Sequence, residues 1–135
     1  MVDYLRDKQG HLSLFGKIDV MLDSFPYSGA TTICEALWMG VPTVTLAGDK
    51  YVSRMASGIL NVIGLDELVA DGEPKYVELA KSLAAAPEQI VTYRKTLRDR
   101  TATSSLTDQK RFVAAMEDAI RHMWCNWCDE VTPYG

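Results

Sequence analysis

Residues 18–46, IDVMLDSFPYSGATTICEALWMGVPTVTL, constrain this chain more than any other stretch. They read as strand, glycine-containing turn, helix, tight turn and strand. Ile18, Val20 and Leu22 form a short apolar run of branched residues, the pattern of a largely buried strand. Ser24, Pro26, Ser28 and Gly29 break that pattern. Thr31 and Thr32 open a predicted helix whose apolar side carries Ile33, Ala36, Leu37, Trp38 and Met39. Gly40 suits a C-terminal stop, and Pro42 prevents the helix from continuing. Residues 43–46 form a second strand, and the chain turns again at Gly48. Two strands joined through one helix make a βαβ unit, so they are expected to run parallel with a right-handed crossover. The fold class is α/β.

In such a unit ligands sit at the carboxyl ends of the strands, facing the start of the helix. Here that place is Ser28-Gly29-Ala30-Thr31-Thr32. Gly29 permits a close backbone approach, the first helical N–H groups are free, and two hydroxyls stand beside them. That is the chemistry of a phosphate cradle. The same residues also suit a purely structural role, with Gly29 turning the chain and one threonine serving as an N-cap. Thr32 and Glu35 fit the spacing of a capping box. Asp19 and Asp23 share one face of the first strand. They could act as an acid–base pair, but the more ordinary reading has Asp23 binding turn amides at the strand exit.

Composition narrows the function classes. The 135 residues are 47% hydrophobic and 24% charged, enough for one globular unit with its own core. The net charge of −4 implies no basic surface for nucleic acid or anionic membrane. No apolar run approaches a membrane span, and the opening MVDYLRDKQG is too polar for a signal peptide. Three cysteines suggest no disulfide framework, so a reducing, cytoplasmic setting is expected.

Around the central unit, residues 11–15 form a short helix leading into the first strand. The chain shows no strand ahead of it, so the parallel sheet is expected to be incomplete, with further strands belonging to a larger whole. After Gly48, a helix carrying Met55, Ile59 and Leu60 is followed by a small edge strand near residues 68–70. Pro74 opens a helix with Tyr76, Leu79, Ala80 and Leu83 on one face. Pro87 opens another, whose basic residues Arg94, Lys95, Arg98 and Arg100 read as a solvated face. Phe112, Met116, Ala119, Ile120, Met123 and Trp127 recur at three and four residues, forming a long amphipathic helix that needs a partner surface. Cys125 and Cys128, with His122, give three potential zinc ligands where about four are needed, so no metal is expected. Residues 1–105 are taken as a partial nucleotide-sugar-binding domain and 106–135 as its C-terminal helix and tail.

The series LDSFPYSGATTICEALWMGVPTVTLAGD, then Ser53-Arg54, Gly64-Leu65, Glu67-Leu68, the helix 76–83 and Met123-Trp124, resembles the donor-binding region of the O-GlcNAc transferase/SPINDLY family. The resemblance covers residues 5–125 and rests on ordered motifs at matching spacings. It implies a Rossmann-like C-terminal half of a GT-B glycosyltransferase, whose terminal helix crosses back towards an N-terminal half. It implies transfer of N-acetylglucosamine from UDP-GlcNAc to serine or threonine hydroxyls of acceptor proteins, with inversion and without a metal or other cofactor. Some SPINDLY-type members use GDP-fucose instead, and a noncatalytic docking module is a third reading. By the same resemblance His11 stacks against uracil, Lys8 contacts the nucleoside, Thr31 and Thr32 hold the diphosphate beside Gly29 and Ala30, and Glu35 binds the ribose hydroxyls. Two departures stand out. Ala30 replaces a histidine of the animal enzymes, and Glu35 is a methylene longer than the aspartate expected there. The family's acceptor-side groups and a phosphate-binding lysine lie in its N-terminal half and tetratricopeptide repeats, outside these residues. The segment by itself is therefore expected to bind donor weakly and not to turn over.

Overall fold

The computed structural model describes residues 8–131. Helix α1 (Lys8–Leu14) passes through a 3-10 turn at Phe15–Lys17 to strand β1 (Met21–Leu22), helix α2 (Thr31–Trp38) and strand β2 (Thr43–Leu46). Helix α3 (Met55–Val62) leads to strand β3 (Val69–Ala70), followed by α4 (Glu73–Ala84), α5 (Pro87–Ala102) and α6 (Gln109–Val131). The three strands form one parallel sheet in the order β1-β2-β3. Met21 pairs with Thr43, and Thr45 pairs with Val69. The βαβ unit read from residues 18–46 is therefore present, and the edge strand expected near 68–70 extends it.

Strand β1 is shorter than the apolar run suggested, and of that run only Val20 packs on the core, beside Met21. Ile18 and Leu22 are exposed, while Met21 packs on the core and Asp23 is buried. Side chains alternate along a strand, so placing Asp23 inward puts Leu22 outward. Burial of Asp23 is tolerated because its carboxylate finds two hydrogen-bond donors inside, described below.

Strand β2 is the centre of the molecule. Helices α2, α3 and α4 all pack on it. Thr43, Val44 and Thr45 are fully buried. The main core joins Ile33 and Leu37 of α2 with Val44, Leu60 of α3, Leu83 of α4 and Leu97 of α5. Within this strand the Thr43 hydroxyl is buried and finds no hydrogen-bond partner among the described residues. A buried hydroxyl left unpaired costs about 1–3 kcal/mol. Thr43→Val keeps the shape and removes the orphan, so it is expected to raise unfolding stability by about 1 kcal/mol in chemical denaturation.

The turn after α2 is set by Gly40, whose φ of +79° lies in the left-handed region. A Cβ there would sit 2.9 Å from the Arg94 carbonyl oxygen of α5. Arg94 in turn crosses to the other elements. Its guanidinium donates to the carbonyls of Phe15 and Met39, at 3.0 and 3.2 Å, and to that of Ile18. Arg100 donates to the Gly64 carbonyl, and the Arg98 guanidinium lies 5.0 Å from the centre of the Trp38 ring. The arginines of this run are thus ties to other elements, while Lys95 stands exposed as the charge pattern suggested. Each arginine meets a group far away in sequence, which local periodicity does not encode.

Helix α6 has 23 residues. Its described side chains are exposed throughout, except that Cys128 is half-buried. Phe112, Met116, Ile120, Met123 and Trp127 stand in the open, as the amphipathic pattern anticipated. No helix among the described residues is long and apolar enough to cross a membrane.

Candidate functional site

The carboxyl ends of β1 and β2 meet the start of α2, and the loop between them is organised by Asp23. This residue is 7% exposed. Its Oδ1 accepts the Gly29 N–H at 2.8 Å, and its Oδ2 accepts the Thr45 hydroxyl at 2.7 Å. Its main-chain carbonyl accepts the Tyr76 hydroxyl from α4 at 2.8 Å. A carboxylate so engaged binds a turn amide, as one reading of the sequence had it, and has both oxygens occupied within the protein. Glycine fits closely beside it: a Cβ there would come within 3.1 Å of Ile33 and 3.3 Å of the Asp23 carboxylate, so these side chains would have to give by a few tenths of an ångström.

Ser28, read from the sequence as a turn residue at the head of the candidate cradle, has a structural task instead. Its backbone N–H donates to the Val52 carbonyl at 2.9 Å, and its hydroxyl accepts the Ala56 N–H at 2.8 Å. It therefore caps α3 from 28 residues away and ties the loop to that helix. No local signal could have revealed it, since N-cap patterns are sought immediately before the helix they serve.

The start of α2 itself is uncapped. The cap position is Ala30, which has no side-chain hydrogen bond. Thr31 and Thr32 are the first two helical residues, one and two positions past the cap, and no capping box forms between Thr32 and Glu35. Both threonines are exposed, and neither hydroxyl has a partner among the described residues. A helix leaves its first amides without intrahelical partners and carries partial positive charge at that end. Those amides and hydroxyls open on a cleft of about 360 Å³, lined by residues 27–32 together with Tyr51, Val52 and Met55.

A second cleft of about 380 Å³ runs along the next turn of α2. It is lined by Leu12, Thr31, Cys34, Glu35, Trp38 and the segment containing Thr101, Leu106 and Thr107. Thr31 belongs to both clefts. At the edge of the second, His11 Nε2 lies 3.1 Å from Glu35 Oε2, and the Phe15 ring stands perpendicular to the imidazole with centres 5.8 Å apart. Burial, with the nearby Glu35 charge, pushes the Cys34 thiol above its ordinary pKa, partly offset by a backbone hydrogen bond. A raised pKa keeps the Cys34 thiol itself neutral at ordinary pH.

Of the residues singled out in the sequence, Gly29, Ala30, Thr31, Thr32, Glu35 and His11 come together around the first turns of α2. Lys8 begins α1, but its side chain lies outside the described residues. Cys125 and Cys128 lie on α6, where His122 Nδ1 is 2.9 Å from the Asp118 carbonyl. Among the described residues no three His, Cys, Asp or Glu side chains gather to hold a metal ion.

A parallel sheet with an uncapped helix start at its carboxyl edge is a Rossmann-like arrangement, here part of a GT-B fold. The solved structure of a mutant O-GlcNAc transferase from Thermobaculum terrenum superposes with a TM-score of 0.86 at 40% identity, over 93% of this chain and 24% of that one. The family model of glycosyl transferase family 41 matches residues 5–116, and the chain belongs to that family. In Oryza sativa, a protein described as a probable UDP-N-acetylglucosamine–peptide N-acetylglucosaminyltransferase SPINDLY is 41% identical over 123 residues, 91% of this chain. In Caenorhabditis elegans, a UDP-N-acetylglucosamine–peptide N-acetylglucosaminyltransferase is 32% identical over 117 residues, 87% of this chain. The chain spans 13% of the length of the rice relative and 10% of the worm one.

Proposed function

We propose that this chain is the donor-binding part of a protein O-linked N-acetylglucosaminyltransferase, with UDP-GlcNAc as the donor. The observation that carries the reading is the uncapped start of α2, where two unpartnered threonine hydroxyls and the first helical amides share one cleft. A diphosphate supplies the acceptors that these donors lack, and the helix end favours its negative charge. Gly29 and Ala30 bring the backbone to the phosphates without a side chain in the way, so amides take over where the animal enzymes use a histidine. Glu35, one turn further on, accepts from ribose hydroxyls. His11 serves the base, and by the family resemblance Lys8 serves the nucleoside, near the ribose.

As the glycosidic bond to UDP breaks, charge grows on the departing diphosphate. The helix end and the two hydroxyls stabilise it, which lowers the barrier to departure. In this reading transfer proceeds with inversion and without a metal or other cofactor. A helix-end interaction is worth about 0.3–2 kcal/mol, a modest share of a catalytic barrier. The rest of the catalysis falls to the N-terminal half and tetratricopeptide repeats of a longer cytoplasmic enzyme, which also bring the acceptor protein. Calorimetric titration of the chain tests this reading. Saturable binding of UDP, tighter than that of GDP, is the expected result. Preference for GDP would move the donor to a GDP-sugar such as GDP-fucose. Binding of neither would favour a docking module that presents the apolar face of α6.

A further inference from the structure

The Glu35 carboxylate has two oxygens, and only one of them is used within the chain. Oε2 meets His11 Nε2 at 3.1 Å, while Oε1 has no hydrogen-bond partner among the described residues. The two side chains come from different elements, 24 positions apart, and each is partly exposed. The imidazole is also held by Phe15, which lies one turn along from it and packs into a small cluster with Ala36 and Val41. His11 is therefore fixed from two sides. One support is the apolar edge of the core, and the other is a carboxylate on the second turn of α2.

We propose that Glu35 is a positioning residue for His11, holding the imidazole plane in place for a nucleobase while its second oxygen remains available for a ribose hydroxyl. This inference rests on the donor-site reading above and adds a role to a residue assigned there only to the ribose. Facing His11 across this contact, the carboxylate can act only as acceptor, so Nε2 carries the proton. The extra methylene of glutamate over aspartate gives the carboxylate the reach to span from α2 to α1. An imidazole fixed in this way loses little freedom when a base stacks on it, which is how preorganisation raises affinity. The base and ribose ends of the site are thereby joined through one carboxylate.

The two roles separate with the right ligand. Loss of a hydrogen bond to a charged group is expected to weaken UDP binding by about tenfold in Glu35→Ala. If Glu35 served the ribose alone, 2′,3′-dideoxy-UDP would bind Glu35→Ala and the unmodified chain equally well. The expected result is that dideoxy-UDP is still weakened by about threefold or more, because the stacking ring has lost its support. Glu35→Gln retains an acceptor oxygen for Nε2–H and is expected to restore dideoxy-UDP binding, whereas Glu35→Ala in a His11→Ala background adds no further loss. Ring order of His11, read from imidazole carbon relaxation by NMR in the free chain, provides a measure independent of nucleotide. It is expected to fall in Glu35→Ala and to persist in Glu35→Gln, with His122 unchanged in both. Equal dideoxy-UDP affinity in Glu35→Ala, or undiminished order of the His11 ring, overturns the proposal. If the unmodified chain binds no nucleotide, the donor reading fails by itself, and ring order alone decides whether Glu35 positions His11.

Discussion

Replacing Thr31 and Thr32 together by alanine is expected to weaken UDP binding by about 30-fold or more, corresponding to about 2 kcal/mol or more lost from two hydroxyl contacts to a charged diphosphate. The same double variant is expected to unfold within about 0.5 kcal/mol of the unmodified chain. Both expectations come from one fact. The hydroxyls are exposed and make no hydrogen bond within the protein, and the cap position belongs to Ala30. A threonine that capped α2 would cost about 1 kcal/mol of stability on truncation, whereas one in the first turn costs little, since alanine is the better helix former. Calorimetric titration set beside chemical denaturation separates the two possibilities. Full nucleotide affinity in the double variant would remove the threonines from the site. Lost stability with lost affinity would make them structural.

The largest effect on folding is expected at Gly40. Gly40→Ala places a Cβ 2.9 Å from the Arg94 carbonyl oxygen and close to the Arg94 backbone, in a position whose φ is +79°. A non-glycine residue pays about 1–2 kcal/mol for the left-handed region, and forcing an atom against packed backbone adds about 1–3 kcal/mol. A loss of about 2–5 kcal/mol is therefore expected in denaturant unfolding, a large share of what a domain this size possesses. Relief by moving α5 is costly, because Arg94 ties that helix to the Phe15, Ile18 and Met39 carbonyls. A variant as stable as the unmodified chain would mean that α5 shifts freely against α2, contrary to this network.

Periodicity and punctuation carried most of the fold. The βαβ unit, the helices opened by Pro74 and Pro87 and the long amphipathic α6 were legible because each is encoded by local spacing. The burial of Asp23 was not, because it depends on where its carboxylate finds donors, and one of these, Thr45, is 22 residues away. The arginines of α5 were misread for the same reason. A charge on an amphipathic helix suggests solvent until the carbonyl it reaches is known. At the site, the residue types and the spacing from Gly29 to Glu35 identified the helix start. They also suggested capping by the threonines, which the conformation of Ala30 excludes. The contact between His11 and Glu35 was not foreseen, although the two residues had been assigned to adjoining parts of one nucleoside.

Thr31 and Glu35 stand four residues apart on a helix of eight, so α2 works as a ruler. Its pitch sets Glu35 about 6 Å beyond Thr31 along the axis. Both marks lie on a helix anchored in the core by Ile33 and Leu37, which are fully buried. Substituting a mark alters what it reads, but one inserted residue between them would rotate Glu35 by about 100° and slide it about 1.5 Å. The spacing along this helix is therefore less free to drift than the identity of either residue. A change from aspartate to glutamate alters only the length of the pointer, whereas an insertion or deletion would change the scale itself.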